Sequence, residues 1–192
     1  MIAIIKYNAG NVRSVQNALN RMGYESIVTD KESLLRDAQK VIMPGVGEAA
    51  SAMKYLRDRG LDVVIKSLTQ PFLGICLELQ IMCKSTEEGN VPCLNIFDAR
   101  VKRFPPQGRI PHMGWNDFDS ISGPLFEGID IRDNVYYVHS FYAQTCVHTS
   151  AVCRYILPFS AALQKDNYYA TQFHPEKSGS VGEIVLQNFL RL

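Results

Sequence analysis

The chain has 192 residues, enough for one sizeable domain and too few for two ordinary ones. With 46% hydrophobic and 20% charged residues and a net charge of +1, its composition is that of a globular protein with no general field toward nucleic acid or a membrane surface. Five cysteines at irregular spacing, with no CxxC pair, argue against a disulfide framework or a metal site and for a reducing cytoplasm. Met1-Ile2-Ala3-Ile4-Ile5 is too short for a signal h-region and reads as the first strand, over about residues 1–7. Asn8-Ala9-Gly10-Asn11 is a turn, with Asn11 placed to cap the next helix. In that helix Val12, Val15, Leu19 and Met22 share one face, and Gly23 ends it. A second strand over 24–29, a short helix over 31–37 and a third strand over 40–43 follow. The β-α-β-α-β order indicates a parallel sheet covered by helices.

Pro44-Gly45-Val46-Gly47 leaves the third strand at the end where α/β folds bind ligands, and its glycines allow unusual torsions and close approach. Helical stretches over 49–59 and 61–68 lead to Phe72-Leu73-Gly74-Ile75-Cys76-Leu77-Glu78-Leu79-Gln80. Here an apolar strand runs at once into a helix, with Cys76 at the junction. A cysteine on such a turn presents its sulfur above the sheet with a helix N-terminus behind it, which favours the thiolate. The local sequence alone fits a buried core thiol equally well. After Cys83 the pattern changes to short strands: 96–101, 135–138, 151–155, 161–164 and 168–173. They read as antiparallel extensions of the same sheet. With no linker or repeat, residues 1–192 form a single α/β domain, a central mostly parallel sheet flanked by helices. The final helix starts at Ser180-Val181-Gly182-Glu183, a capping-box pattern.

A thiol nucleophile needs a base, and the base an orienting partner. Of four histidines, only His174 stands in a segment His174-Pro175-Glu176 just after a strand. In extended backbone, residues two apart project to one side, so Glu176 would fix the tautomer of His174. Together with Cys76 this makes a candidate Cys-His-Glu triad. The remaining cysteines, Cys83, Cys93, Cys146 and Cys153, read as small core residues.

Gly74-Ile75-Cys76 with Gln80, and His174-Pro175-Glu176 near the end of the chain, resemble the class I (triad-type) glutamine amidotransferases, whose sheet is flavodoxin-like. The likeness spans nearly the whole chain. Pro44-Gly45-Val46-Gly47, Pro111-His112-Met113-Gly114-Trp115-Asn116 and Phe173-His174-Pro175-Glu176-Lys177-Ser178-Gly179 narrow it to the glutaminase subunits of imidazole glycerol phosphate synthases. The resemblance implies that Cys76 attacks the side-chain amide of L-glutamine, that His174 shuttles the proton and that Glu176 orients it. It implies an oxyanion hole from the backbone N–H groups of Val46 and Leu77. It implies substrate contacts at Gly45, Gly47, Gln80, Glu88, His139, Ser140 and Phe141. It further implies no cofactor or metal. The implied partner is a (β/α)8-barrel cyclase, docked in a heterodimer on Asn11, Met113, Trp115 and Asn116. A stand-alone amide hydrolase on the same fold and a catalytically weakened binding subunit stay open. Two departures matter. The family pattern C-L-G-x-Q has Glu78 where glycine is usual, so the turn is displaced or Glu78 faces solvent. The pattern D-Y-G-x-G-N is replaced by Lys6-Tyr7-Asn8-Ala9-Gly10-Asn11.

Overall fold

The computed structural model describes residues 1–6 and 11–192. The turn expected at Asn8–Gly10 lies outside the described residues. Five strands form the parallel part of an eight-stranded sheet: β1 (Ile2–Ile5), β2 (Ser26–Thr29), β3 (Lys40–Gly45), β4 (Phe72–Cys76) and, late in the chain, β14 (Tyr168–Thr171). Their order across the sheet is β2-β1-β3-β4-β14. The sequence specifies this through near-continuous apolar runs, as strands covered on both faces require. Every residue of β1 and β4 is buried. Successive side chains then enter opposite cores. Ala3, Val41 and Phe72 join one, and Ile4, Ile42 and Leu73 the other. Fully burying a large apolar side chain of this kind contributes about 1.5–3 kcal/mol.

Helices cover both faces. On the first lie α2 (Glu32–Asp37), α3 (Ala49–Asp58), α4 (Leu61–Ser67) and α5 (Leu77–Met82); on the second, α1 (Val12–Arg21) and α6 (Gly179–Arg191). Gly23, at φ +81, closes α1 as expected. Its N–H bonds to Asn20 O at 3.0 Å and the Tyr24 N–H to Leu19 O at 3.0 Å, the paired bonds of a glycine-terminated helix. The capping box at Ser180 does not form. α6 starts one residue earlier, at Gly179, and the Glu183 carboxylate faces Arg21 across 3.5 Å of exposed surface.

The C-terminal half departs further from the sequence expectation. Only β9 (Ser120–Ile121), β12 (Thr149–Tyr155) and β13 (Leu157–Lys165) extend the main sheet in antiparallel fashion. β14 itself pairs parallel with β4. The other strands build two separate small sheets. One is the ribbon of β8 (His112–Asn116) and β10 (Val135–His139). The other has the order β11-β7-β5-β6, from β5 (Ser85–Thr86), β6 (Val91–Pro92), β7 (Arg100–Arg103) and β11 (Phe141–Ala143). The strand expected over 96–101 is displaced to Arg100–Arg103. Leu94, Ile96 and Phe97 are buried in irregular backbone, because their N–H groups bond to Ile81 O and Met82 O at the end of α5. Among the described residues no helix is long and apolar enough to cross a membrane.

Candidate active site

The site is built where β3, β4 and β14 end side by side. Register places Gly45 opposite Cys76 and Thr171 opposite Ile75. The chain beyond each strand therefore delivers Val46, the Cys76–Leu77 junction and Gln172–His174 to one edge. Cys76 takes φ +60 and ψ −102. This positive-φ region is costly for a residue with a Cβ, on the order of 1–3 kcal/mol, and persists here because strand and helix hold both sides. The turn leaves the sulfur against the Val138 carbonyl at 3.9 Å and the Gln172 amide nitrogen at 3.7 Å.

His174 is 1% exposed. Its Nδ1–H donates to Glu176 Oε1 at 2.8 Å, and the Glu176 side chain is fully buried. The pairing matches the sequence expectation, but its geometry does not come from extended backbone. Pro175–Lys177 form a single 3-10 turn that folds Glu176 back on the ring. The turn is pinned by Ser178, whose hydroxyl donates to His174 O at 2.7 Å and accepts from the Tyr136 N–H at 3.0 Å. Burial disfavours the charged imidazole. The neighbouring Cys76 sulfur and the Glu176 carboxylate outweigh it and raise the His174 pKa. The coupling to Cys76 acts through a hydrogen-bonding interaction first and through charge second. Nε2 is thus the ring atom left available to move a proton.

Asn11 does not act as expected. It makes no capping hydrogen bond to α1 and is 5% exposed, so it lies on no open docking face. Its amide nitrogen donates to Glu176 Oε1. With His174 Nδ1–H already donating to that oxygen, the Asn11 nitrogen 3.3 Å from Nδ1 is a second donor on a shared acceptor. Asn11 therefore steadies the carboxylate that steadies the base.

Glu78 is 0% exposed, so it does not face solvent. It occupies space that two glycines leave. A Cβ on Gly45 would meet Glu78 Oε1 at 2.6 Å and Cγ at 2.9 Å, and one on Gly74 would meet Glu78 Cβ at 3.0 Å. The bulk at this position is accommodated beneath the elbow by bare backbone on β3 and β4.

A cavity of about 450 Å³ opens over the sulfur. Its wall includes Val46, Gly47, Leu77, Gln80, Glu88, Ser140 and His174, together with Pro111, Val138, His139 and Phe141. Gly45 is not among them; it packs on Glu78 instead. Glu88 accepts the Ala49 N–H at 2.8 Å, and burial raises its pKa against the pull of that bond. A carboxylate in such a wall suits an ammonium group. His139, Ser140 and Phe141 sit where the chain leaves one small sheet and enters the other, between β10 and β11.

On β8, alternation places Met113 and Trp115 outward at 56% and 57% exposure. Asn116 turns the other way. Its amide donates to Arg154 O at 3.1 Å and toward His112 Nε2 at 3.4 Å. The wall residues Pro111 and Val138, and Gln172 and His112 beside them, went unassigned in the sequence. Gln172 stands two positions before His174, and that spacing was its available signal. His112 lay inside the motif Pro111–Asn116 with no role of its own.

The model of the family described as glutamine amidotransferase class-I matches residues 3–192. The chain belongs to the class I glutamine amidotransferase family. Among class I glutamine amidotransferases of known sequence, it is 57% identical to the imidazole glycerol phosphate synthase subunit HisH of Bacteroides thetaiotaomicron, with 100% of this chain and 99% of that one covered. It is 43% identical to the HisH of Haemophilus influenzae strain KW20, over 98% and 96% of the two chains. The same fold occurs in a solved glutamine amidotransferase, with a TM-score of 0.75 and 20% identity over 100% and 98% of the chains. It occurs again in the structure of PurLQS from Thermotoga maritima, with a TM-score of 0.73 at 17% identity over 99% and 97%.

The buried histidines of this amidotransferase make its stability depend on pH. Burial lowers the pKa of His112 to about 4 and that of His139 to about 3. The unfolded chain, with histidine near 6.5, binds these protons first as pH falls. Stability is therefore lost between about pH 6.5 and 4 for His112 and between about pH 6.5 and 3 for His139, by about 2 kcal/mol per histidine at pH 5. His174, shifted upward, has the opposite sign, and its contribution is already complete below 6.5. Urea unfolding midpoints should fall steadily from pH 6.5 to pH 5. A flat profile over that window would show that the two histidines are not held neutral.

Proposed function

We propose that this chain is the glutaminase subunit of an imidazole glycerol phosphate synthase, releasing ammonia from L-glutamine for a cyclase subunit in histidine biosynthesis. The observation that carries the reading is the convergence, over one cavity, of a strained Cys76, an imidazole coupled to it, and a buried carboxylate behind that imidazole. The full-length likeness to HisH chains directs it to this member of the family.

In the mechanism we assign, the Cys76 thiolate attacks the amide carbon of glutamine. The carbonyl oxygen becomes an oxyanion held by the N–H groups of Leu77 and Val46, each such donor contributing about 3–4 kcal/mol to the transition state. His174 gives its Nε2 proton to the departing nitrogen. The C–N bond breaks, ammonia leaves and a glutamyl thioester remains. His174 then takes a proton from water, the resulting hydroxyl attacks the thioester, and glutamate leaves as the Cys76 thiolate is restored. Glu176 and Asn11 hold the imidazole in register. Glu88 receives the α-ammonium of the substrate, and Gln80 with His139–Phe141 forms the wall around its backbone groups. Ammonia freed into neutral water becomes ammonium and loses its nucleophilic lone pair. Synthesis therefore requires a sealed route, which a docked cyclase barrel would supply. The outward Met113 and Trp115 offer the anchor for it, since large exposed aromatics dominate such interfaces. Five free thiols support a reducing, cytoplasmic setting.

The test is glutamate release by the purified chain, alone and with a cyclase and its ligand. The reading expects strong stimulation by the loaded partner. High activity without any partner would favour a stand-alone amide hydrolase, and no activity in a proven complex a decayed subunit. Trp115→Ala should leave the unfolding midpoint unchanged and weaken the complex about 30-fold, the equivalent of about 2 kcal/mol.

A further inference from the structure

We infer that Asn116, His112 and His139 form a hydrogen-bond relay of fixed direction that sets the position of the Phe141 carbonyl in the glutamine cavity, with His112 as its positioning residue. The inference rests on the reading of that cavity as the glutamine site.

The direction follows from donor chemistry. His139 Nδ1 lies 2.7 Å from Phe141 O. A carbonyl only accepts, so Nδ1 carries the proton. In a neutral ring Nε2 is then an acceptor, and His112 Nδ1, 3.0 Å away, must donate to it. That leaves His112 Nε2 as an acceptor facing the Asn116 amide nitrogen at 3.4 Å. The second proton of that nitrogen goes to Arg154 O at 3.1 Å. Every contact is satisfied by one proton placement and by no charged one. A proton added to His139 Nε2 or to His112 Nε2 would set donor against donor. Burial, which lowers both pKa values, favours the same neutral state.

Packing fixes the His112 ring as firmly as its bonds do. It is stacked between Tyr155, with centroids 4.0 Å apart and planes at 12°, and Tyr137, at 4.9 Å and 22°. The relay continues past Phe141. The same carbonyl accepts from Gln80 Nε2 at 3.0 Å, and Gln80 Nε2 also donates to Gln172 Oε1 at 3.1 Å. Gln172 thereby turns its nitrogen toward Cys76 Sγ at 3.7 Å. A strand whose outer face carries Met113 and Trp115 is connected, through its inner face, to the wall beside the nucleophile. Removing the His112 donor leaves His139 Nε2 a buried acceptor without its partner and loosens the ring whose Nδ1–H holds the Phe141 carbonyl.

The experiment uses three chains, each assembled with the cyclase: the parent, His112→Phe, which keeps the stack and loses both ring nitrogens, and His112→Asn, which keeps a donor near the Nδ1 position. Nitrogen-15 shifts of the His139 ring, recorded without glutamine, report its tautomer. The parent should show Nδ1–H. In His112→Phe the ring should keep Nδ1–H while its Nε2 moves to the shift of an unbonded acceptor, and KM for glutamine should rise about tenfold with a smaller change in kcat, as expected when a buried acceptor loses its donor. His112→Asn should return the hydrogen-bonded Nε2 shift and bring KM to within about threefold of the parent. An Nε2–H ring in the parent would overturn the relay without any variant. So would a His112→Phe chain with parental Nε2 shift and KM, or equal impairment of both variants. Absence of glutaminase activity in the parent complex would instead overturn the functional reading, and the tautomer would still judge the relay.

Discussion

Cys76→Ala should lower glutamine hydrolysis by the assembled enzyme by about 10⁴-fold or more, the loss seen when the nucleophile of a covalent triad is removed. No other thiol can substitute, because Cys83 and Cys153 are buried in the cores and none of the remaining cysteines lines the cavity. Binding to the cyclase should persist, since Cys76 is 7% exposed and adds almost nothing to the outer surface. The check is glutamate release together with the affinity of the complex. Residual hydrolysis near the parental rate would refute the assignment of the nucleophile. A companion variant measures the strain at the elbow. Cys76→Gly is equally without a sulfur but has no Cβ to resist φ +60. It should unfold at higher denaturant than Cys76→Ala, by about 1–2 kcal/mol of stability. Equal stability would mean that the elbow stores no conformational strain.

A second large effect is expected far from the sulfur. Gly182, in the first turns of α6, lies against the His174–Ser178 turn. A Cβ there would stand 1.9 Å from the Pro175 carbonyl oxygen and 2.8 Å from its carbon. Both atoms are backbone and cannot rotate aside. Gly182→Ala must therefore push α6 from the turn that carries His174 and Glu176, or bend the turn itself. Overpacking of this kind typically costs about 1–3 kcal/mol of stability. A shift of about 1 Å in the base costs about 10²-fold in rate. Unfolding midpoints and kcat should fall together, whereas Cys76→Ala lowers the rate alone. A Gly182→Ala chain with parental stability and rate would contradict the close approach of helix and turn.

Much of the framework was legible because it depends on local pattern. Continuous apolar runs gave β1, β3 and β4, and 3.6-residue spacing gave α1 and its glycine end. The junction at Cys76 was visible as a strand running directly into a helix. The segment His174-Pro175-Glu176 named the proposed base and its carboxylate partner, although their contact comes from a compact turn and not from extended backbone. A proline followed by a compact turn achieved the same contact by folding back. The sheets of the second half were not legible. Short strands of similar composition do not encode their partners: β10, expected in the main sheet, pairs with β8 instead, and neither β8 nor β11 was foreseen, because partner choice depends on how distant segments pack. Ile96 and Phe97 looked like strand residues for the same reason. Their apolar character serves burial, while their backbone bonds go to α5.

Fold class and family, and the proposed nucleophile and base, could all be read along the chain, because each rests on residue type at a fixed spacing. Three further matters were settled by packing alone. Asn11 is bound to the triad rather than exposed, because the start of α1 packs beside the His174 turn. Glu78 is buried because Gly45 and Gly74, on neighbouring strands, leave its volume free. The histidines His112 and His139, 27 positions apart, meet because β8 and β10 pair in a register that sets one opposite the other. Each is a relation between segments distant in sequence, and it exists only once the chain has brought those segments together.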